Sequence, residues 1–146
     1  MSAHVSSIEI VGGAAVVGPS RPGMDVVHLV RRGLPVEAVQ FVLDSGRLTS
    51  AEMDSIVLPR KTLANRRRLG NLTPEQSDRL IRVARVLASA EETFGSQQKA
   101  AIWLRRPTTA LPGGLAGEKP LALLDTDEGA REVELLLGRI GHGLAA

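Results

Sequence analysis

The side chains best suited to catalysis or metal binding are few and scattered in this sequence. It contains no cysteine, and its three histidines are His4, His28 and His142. A metal site or a nucleophilic centre needs several such groups close together, so we predict neither. The stretch GGLAG follows no predicted strand and lacks the Lys-Ser or Lys-Thr pair of a phosphate-binding loop. We therefore expect a protein that is not an enzyme and uses no metal or cofactor.

Three carboxylates, Asp125, Asp127 and Glu128, form a small acidic group near the end of the chain. They precede an apolar pattern that is typical of a helix, and carboxylates are favoured at the positive N-terminal end of a helix. We predict that Asp125, with Glu128 three residues later, caps this last helix. A structural role accounts for the group without any chemistry.

The strongest chemical signal is the cationic stretch LPRKTLANRRRLG, residues 58–70, in which five Lys and Arg residues fall within nine positions. The formal net charge of the whole chain is only +2, so the clustering is the feature that needs an explanation. Two short predicted helices separated by a sharp turn at Pro59 resemble a helix-turn-helix, whose second helix presents cations to phosphates. The alternative is an Arg-rich face that only contacts solvent. With Leu63 pointing inward, the predicted DNA-facing residues are Arg60, Lys61, Thr62, Asn65, Arg66, Arg67 and Arg68.

Three more arginines, Arg79, Arg82 and Arg85, follow on a long predicted helix that also carries Glu75 and Asp78. Their spacing of three residues favours a solvated face with ion pairs inside the helix over a second nucleic-acid surface.

The C-terminal stretch GRIGHGLAA combines small residues with Arg139, Ile140 and His142. Fraying is the usual behaviour of such an end. The alternative is insertion into the cleft of a partner, in which the glycines permit close approach and the guanidinium and imidazole groups form hydrogen bonds.

These groups are positioned by an all-α fold of about seven helices. Capping boxes are predicted at Thr49 with Glu52 and at Thr73 with Gln76, Ser96 caps a further helix, and Gly33, Gly46 and Gly95 end helices. Pro35 is predicted in the first turn of the second helix. The low aromatic content of 2% and the hydrophobic fraction of 43% favour a core of aliphatic side chains between helices.

Residues 1–23 are rich in Gly, Ala, Ser and Pro, and we predict a flexible N-terminal arm, although SSIEIVGG could form one short strand. No segment is apolar enough to span a bilayer, and the N-terminus lacks the cations of a secretory signal, so we expect a cytoplasmic protein.

Three segments together resemble one family: RKTLANRRRLGNLTPEQSDRLIRVARV, FGSQQKAAIWLRRPTTALPGG and PLALLDTDEGAREVELLLGRIGHG. In this order and spacing they are similar to antitoxins of the Xre/ParS/MbcA type, in which an Xre-like helix-turn-helix is followed by a small helical toxin-binding domain. The resemblance implies a helix-turn-helix domain at 24–71 and a toxin-binding domain at 72–146.

The resemblance also implies the partners. The first is a cognate RES-domain toxin that degrades NAD or uses it to ADP-ribosylate a protein, and the second is operator DNA of the shared operon. We expect a homodimer within a hetero-oligomeric complex. Trp103, Leu104 and Pro107 would build the domain core or the dimer face. The residues implied to enter the toxin's cleft are Gly138, Arg139, Ile140, Gly141, His142 and Gly143. The alternative is a plain transcriptional regulator whose C-terminal domain only dimerises.

Overall fold

A computed structural model describes residues 6–19 and 24–143, and it confirms the all-α class. The described residues form no strand, only an isolated β-bridge between Pro35 and Asn71. Two 3-10 helices, Gly113–Leu115 and Pro120–Asp125, precede the last α-helix. In chain order the α-helices are α1 (Ser7–Ile10), α2 (Ala14–Val17), α3 (Met24–Arg32), α4 (Glu37–Asp44), α5 (Ser50–Ile56), α6 (Arg60–Leu69), α7 (Pro74–Phe94), α8 (Gln97–Leu104) and α9 (Asp127–Gly141).

The seven helices predicted from the sequence correspond to α3–α9, and local side-chain chemistry sets most of their ends. Both capping boxes are present, because Thr49 and Thr73 each accept the N3 amide while Glu52 and Gln76 accept the cap amides. Ser96 caps α8 as predicted. Gly95 ends α7 in the left-handed conformation, with φ of 83°.

The 21-residue helix α7 lies at the centre of the fold and contacts α1, α3, α8 and α9. One side of it buries aliphatic residues at helical spacing, Leu80, Val83, Ala84 and Leu87. Phe94, at its C-terminal end, is half-buried. At the usual rise per residue, α7 is about 31 Å long and reaches from the cationic helix α6 to the C-terminal helices.

The N-terminal prediction is wrong for the residues that the structure describes. Instead of a flexible arm or a strand, residues 6–19 contain α1 and α2, and α1 packs on α7. Ile10 and Val11 are fully buried, and Val17 is nearly so. Burial of these side chains removes apolar area from water and holds a glycine-rich segment in place. Residues 1–5 and 20–23 of the predicted arm lie outside the described residues.

The start of α4 also differs from the prediction. Pro35 precedes the helix, which begins at Glu37, and the backbone here pairs with the segment that follows α6. The Val36 amide donates to the Gly70 carbonyl at 2.9 Å, and the Leu72 amide donates to the Leu34 carbonyl at 2.8 Å. These bonds fix the C-terminal end of the cationic helix against the rest of the bundle.

The cap of α9 is Thr126 and not Asp125. The Thr126 hydroxyl accepts the Gly129 amide at 3.0 Å, and Asp125 lies in the preceding 3-10 helix. The Thr126 backbone is extended, with φ of −127° and ψ of 155°, as is usual for an N-cap residue. Gly129 is required one turn later, since an added Cβ would meet the Leu123 carbonyl oxygen.

Replacing Thr126 by alanine is expected to lower the free energy of unfolding by about 1 kcal/mol, the usual loss for an N-cap. Asp125→Ala is the matched control and should change it by less than about 0.5 kcal/mol, because the side chain is exposed. Urea unfolding followed by circular dichroism measures both. A larger loss from Asp125→Ala would contradict the assignment of the cap.

Candidate functional site

Helices α5 and α6 form the helix-turn-helix pair, and a short turn, Val57 to Pro59, joins them. Leu58 and Leu63 are buried and hold the turn and α6 against the core. Pro59 occupies the N-cap of α6 but has no side-chain acceptor. The Asp54 carboxylate of α5 supplies one, because its Oδ1 accepts the Arg60 amide at 2.7 Å.

The seven residues predicted to face DNA lie on this one helix. Thr62 and Arg66 are half-buried, and the exposed members are Arg60, Lys61, Asn65, Arg67 and Arg68. Leu63 points inward as predicted. The structure therefore brings the cations together on one accessible helix, whose DNA contacts remain a prediction.

Three of these arginines are held by neutral oxygen atoms. The Arg66 Nε donates to the Asn71 carbonyl at 2.8 Å, and Arg67 Nη2 donates to Gln40 Oε1 at 3.0 Å. Arg68 Nη2 donates to Asn65 Oδ1 at 2.7 Å. A neutral acceptor orients a guanidinium without cancelling its charge, so these cations stay available to an anion.

Two arginines outside α6 pair with carboxylates instead. Arg47 forms two hydrogen bonds with Glu91, at 2.7 and 3.0 Å, and Glu91 is 7% exposed. Arg105 bonds both oxygens of Glu52, at 2.9 and 2.7 Å. Arg66, Arg67 and Arg68 of α6 contact neutral oxygens, so these contacts leave their positive charge uncompensated.

The two ion pairs join the helix-turn-helix to the helices that follow it. Arg105 also donates to the Arg47 carbonyl at 3.1 Å, so the loop between α4 and α5 is tied to the end of α8. We call Arg47, Glu52, Glu91 and Arg105 the bridging network. Burial raises the pKa of the Glu52 carboxyl, but hydrogen bonds from Arg105 and Thr49 outweigh that effect and lower it overall.

The arginines of α7 do not form the purely intrahelical face that was predicted. Only Arg82 has such a partner, Asp78 at 3.8 Å. Arg79 donates to the Val57 carbonyl at 3.4 Å, and Arg85 pairs with Glu134 of α9 at 3.0 Å. These arginines therefore help to pack α7 against its neighbours.

The predicted toxin-contacting residues form the last turn of α9 and its cap rather than a frayed tail. The His142 ring Nδ1 lies 2.7 Å from the Gly138 carbonyl, and the helix continues to Gly141. Gly138, Arg139 and His142 are exposed, as are Gly141 and Gly143, whereas Ile140 is half-buried and packs against the core. Ile140 therefore contributes to the core as well as to the end of α9. Residues 144–146 lie outside the described residues.

Gly138 is a glycine for which the described packing gives no steric reason. It lies inside α9, and a Cβ added there would meet no atom of the described residues within 4 Å. Glycine inside a helix costs about 1 kcal/mol relative to alanine. Packing among the described residues therefore does not explain a glycine at this position.

One exposed residue near this end was missed by the sequence reasoning. Leu135 is 53% exposed and lies three residues before Gly138, on the same face of α9. The apolar periodicity of α9 does not distinguish Leu135 from the buried residues Leu136 and Leu137, which follow directly.

Between α7 and α9 a polar groove of about 400 Å³ is lined by Thr93, Glu134 and His142, among others.

Trp103 and Leu104 serve the core of this half of the chain. The Trp103 ring packs on Phe94 with centroids 5.3 Å apart, and Leu104 is 1% exposed. Pro107 is exposed.

Across the described ranges no three His, Asp or Glu side chains are grouped so as to hold a metal ion. No helix in those ranges is long and apolar enough to cross a membrane.

Residues 25–85 match the sequence model of the antitoxin Xre-like helix-turn-helix domain, and residues 89–143 match that of the antitoxin Xre/MbcA/ParS C-terminal toxin-binding domain. The chain belongs to the Xre/MbcA/ParS antitoxin family. It is a toxin-neutralising antitoxin with a helix-turn-helix, and α6 and the end of α9 fall within the two matched segments.

Curated relatives agree with this assignment. The antitoxin is 33% identical over 129 residues to "Antitoxin Xre" of Yersinia enterocolitica, covering 86% of this chain and 84% of that one. It is 32% identical over 131 residues to "Antitoxin Xre" of Photorhabdus laumondii, covering 88% and 86%. A Pseudomonas putida protein of the same name is 39% identical over 101 residues, covering 68% and 60%.

Proposed function

We propose that this antitoxin neutralises a RES-domain toxin by placing the C-terminal end of α9 in the cleft through which the toxin admits NAD. The toxin degrades NAD or uses it to ADP-ribosylate a protein, and the antitoxin acts in the cytoplasm as a homodimer within a hetero-oligomeric complex. The resemblance of the sequence to Xre/ParS/MbcA-type antitoxins supports a RES-domain toxin as the partner. Gly138 supports the contact surface.

The support from Gly138 is energetic. Gly138 costs helix stability, and a side chain added there would meet none of the described atoms; such a glycine is explained if another molecule approaches the backbone at that point. Arg139 and His142 flank it on the exposed surface of the last turn. A guanidinium there supplies several hydrogen-bond donors to a cleft that otherwise holds the phosphates of a dinucleotide. The proposed inhibition is therefore both steric and electrostatic.

Reversing the charge of Arg139 tests this surface. Arg139→Glu is expected to abolish growth rescue from the toxin encoded beside the antitoxin, because the carboxylate would meet a site built for anionic phosphates. Arg131→Glu is the matched control, since Arg131 is also exposed on α9, two turns earlier. It should rescue growth normally, and circular dichroism should show that both variants fold. Normal growth rescue by Arg139→Glu would show that the toxin contacts another surface of the antitoxin.

The proposal includes a second activity, binding of operator DNA by α6, with repression of the antitoxin's own operon. Its support is the set of arginines held by neutral oxygens on an exposed helix. Exposed cations on a helix of this kind can neutralise phosphates and release the counterions around DNA.

Salt dependence measures this activity. Lys61→Ala combined with Arg68→Ala is expected to weaken binding to a duplex from the antitoxin's promoter and to reduce the log-log salt slope by about two. Lys99→Ala with Arg106→Ala is the matched control, because both side chains are exposed outside the helix-turn-helix. An unchanged salt slope for the Lys61→Ala, Arg68→Ala variant would show that α6 does not contact the DNA.

A further inference from the structure

Gln40 of α4 lies outside the cationic helix but contacts it. Its side-chain Oε1 accepts a hydrogen bond from Arg67 Nη2 at 3.0 Å. The same amide donates from Nε2 to Asp44 Oδ1 at 2.8 Å, one turn further along α4. The carboxylate of Asp44 thus fixes the orientation of the amide, because it can accept only from the NH₂ side and leaves the oxygen facing α6.

We infer that Gln40 is a positioning residue for DNA binding, which orients the Arg67 guanidinium toward phosphate while leaving its charge intact. The inference rests on the proposed DNA-binding activity of α6. It assigns a role to a helix that contributes none of the predicted DNA contacts.

Two observations favour positioning over a stabilising role. Gln40, Asp44 and Arg67 are all exposed, so their hydrogen bonds compete with water and contribute little to the stability of the fold. The Gln40 amide also lies between the Asp44 carboxylate and the Arg67 guanidinium, whose charges would partly neutralise each other in direct contact. Asp44 is joined to the amide and not to Arg67, and the positive charge stays on α6.

The chemical consequence concerns the entropy of binding. A free arginine loses rotamer freedom when it meets a phosphate, and an arginine already held in the bound orientation loses less. A carboxylate at position 40 would orient Arg67 just as well, but it would compete with the phosphate for the guanidinium. Glutamine orients Arg67 without competing with the phosphate for its guanidinium.

The test uses the full chain and a DNA duplex from the antitoxin's promoter. Gln40→Ala should weaken binding by about threefold to tenfold, which corresponds to the cost of immobilising one long side chain. Gln40→Glu should weaken it by more than about tenfold and reduce the salt slope by about one, as if one phosphate contact were lost. Gln98→Ala and Gln98→Glu are the matched controls, because Gln98 is exposed on α8, and they should bind like the unaltered antitoxin.

A double-mutant cycle separates positioning from an indirect effect. In an Arg67→Ala background, Gln40→Ala should cause no further loss, since the residue acts through Arg67. A loss that persists in that background, or no loss from Gln40→Ala when Arg67→Ala alone weakens binding, would overturn the inference. If Arg67→Ala itself leaves binding unchanged, the inference fails together with the proposed DNA contact of Arg67. Thermal unfolding should place all variants close to the unaltered antitoxin.

Discussion

Replacing Gly138 by leucine is expected to weaken toxin binding strongly while leaving the antitoxin as stable as before, or more so. Within the described residues nothing lies near an added side chain at this position, and leucine favours a helix by nearly 1 kcal/mol over glycine. At a close interface the same side chain would overlap the toxin, and overpacking typically costs 1–3 kcal/mol or more. We therefore expect about a 10- to 100-fold loss of affinity.

The measurement is the dissociation constant for purified toxin, together with the unfolding free energy of the free antitoxin. Ala64→Leu is the matched control, because Ala64 is an exposed small residue inside α6 and its change should leave toxin affinity unaltered. Unchanged affinity for Gly138→Leu would show that this face of α9 is not the contact. A large loss of stability would show that the glycine serves the fold after all.

The second large effect is expected from Glu91→Ala, which removes one partner of the most buried ion pair in the bridging network. Arg47 is 16% exposed, and its guanidinium would lose both of its hydrogen bonds to Glu91. Removing one partner of a buried pair costs about 3–5 kcal/mol, and some solvent at Arg47 favours the lower end of that range. Since Glu91 lies in α7 and Arg47 precedes α5, binding of toxin and of DNA should weaken together.

Urea unfolding and the two binding assays measure this result. Glu134→Ala is the matched control, because its partner Arg85 is 56% exposed and the expected loss is below about 1 kcal/mol. A similar loss for both variants would mean that burial of the Arg47–Glu91 pair is unimportant.

Sequence reasoning succeeded where structure depends on neighbouring residues. The capping boxes at Thr49 and Thr73, the cap at Ser96 and the inward position of Leu63 are local features, and all are present. The clustering of the predicted DNA-facing residues on α6 follows from helical spacing in the same way.

The reasoning failed where a residue's role depends on a distant partner. α1 was missed because a four-residue helix has almost no periodicity, and only its contact with α7 explains why Ile10 is buried. The partners of Arg85 and Arg105 lie 49 and 53 residues away in the sequence, beyond the range of any helical pattern. The half-buried position of Ile140 likewise depends on packing against the bundle, which α9 alone cannot reveal.

The long helix α7 also constrains how such antitoxins can be recombined. It begins in the segment that matches the helix-turn-helix domain and ends in the segment that matches the toxin-binding domain, without a flexible joint between them. One inserted or deleted residue inside α7 would turn its two ends by about 100° relative to each other and shift them by 1.5 Å. A chimera of two relatives should therefore work only if the crossover keeps the length of α7. We therefore expect recombination to exchange the toxin partner or the DNA site only when both halves keep their relative rotation about α7.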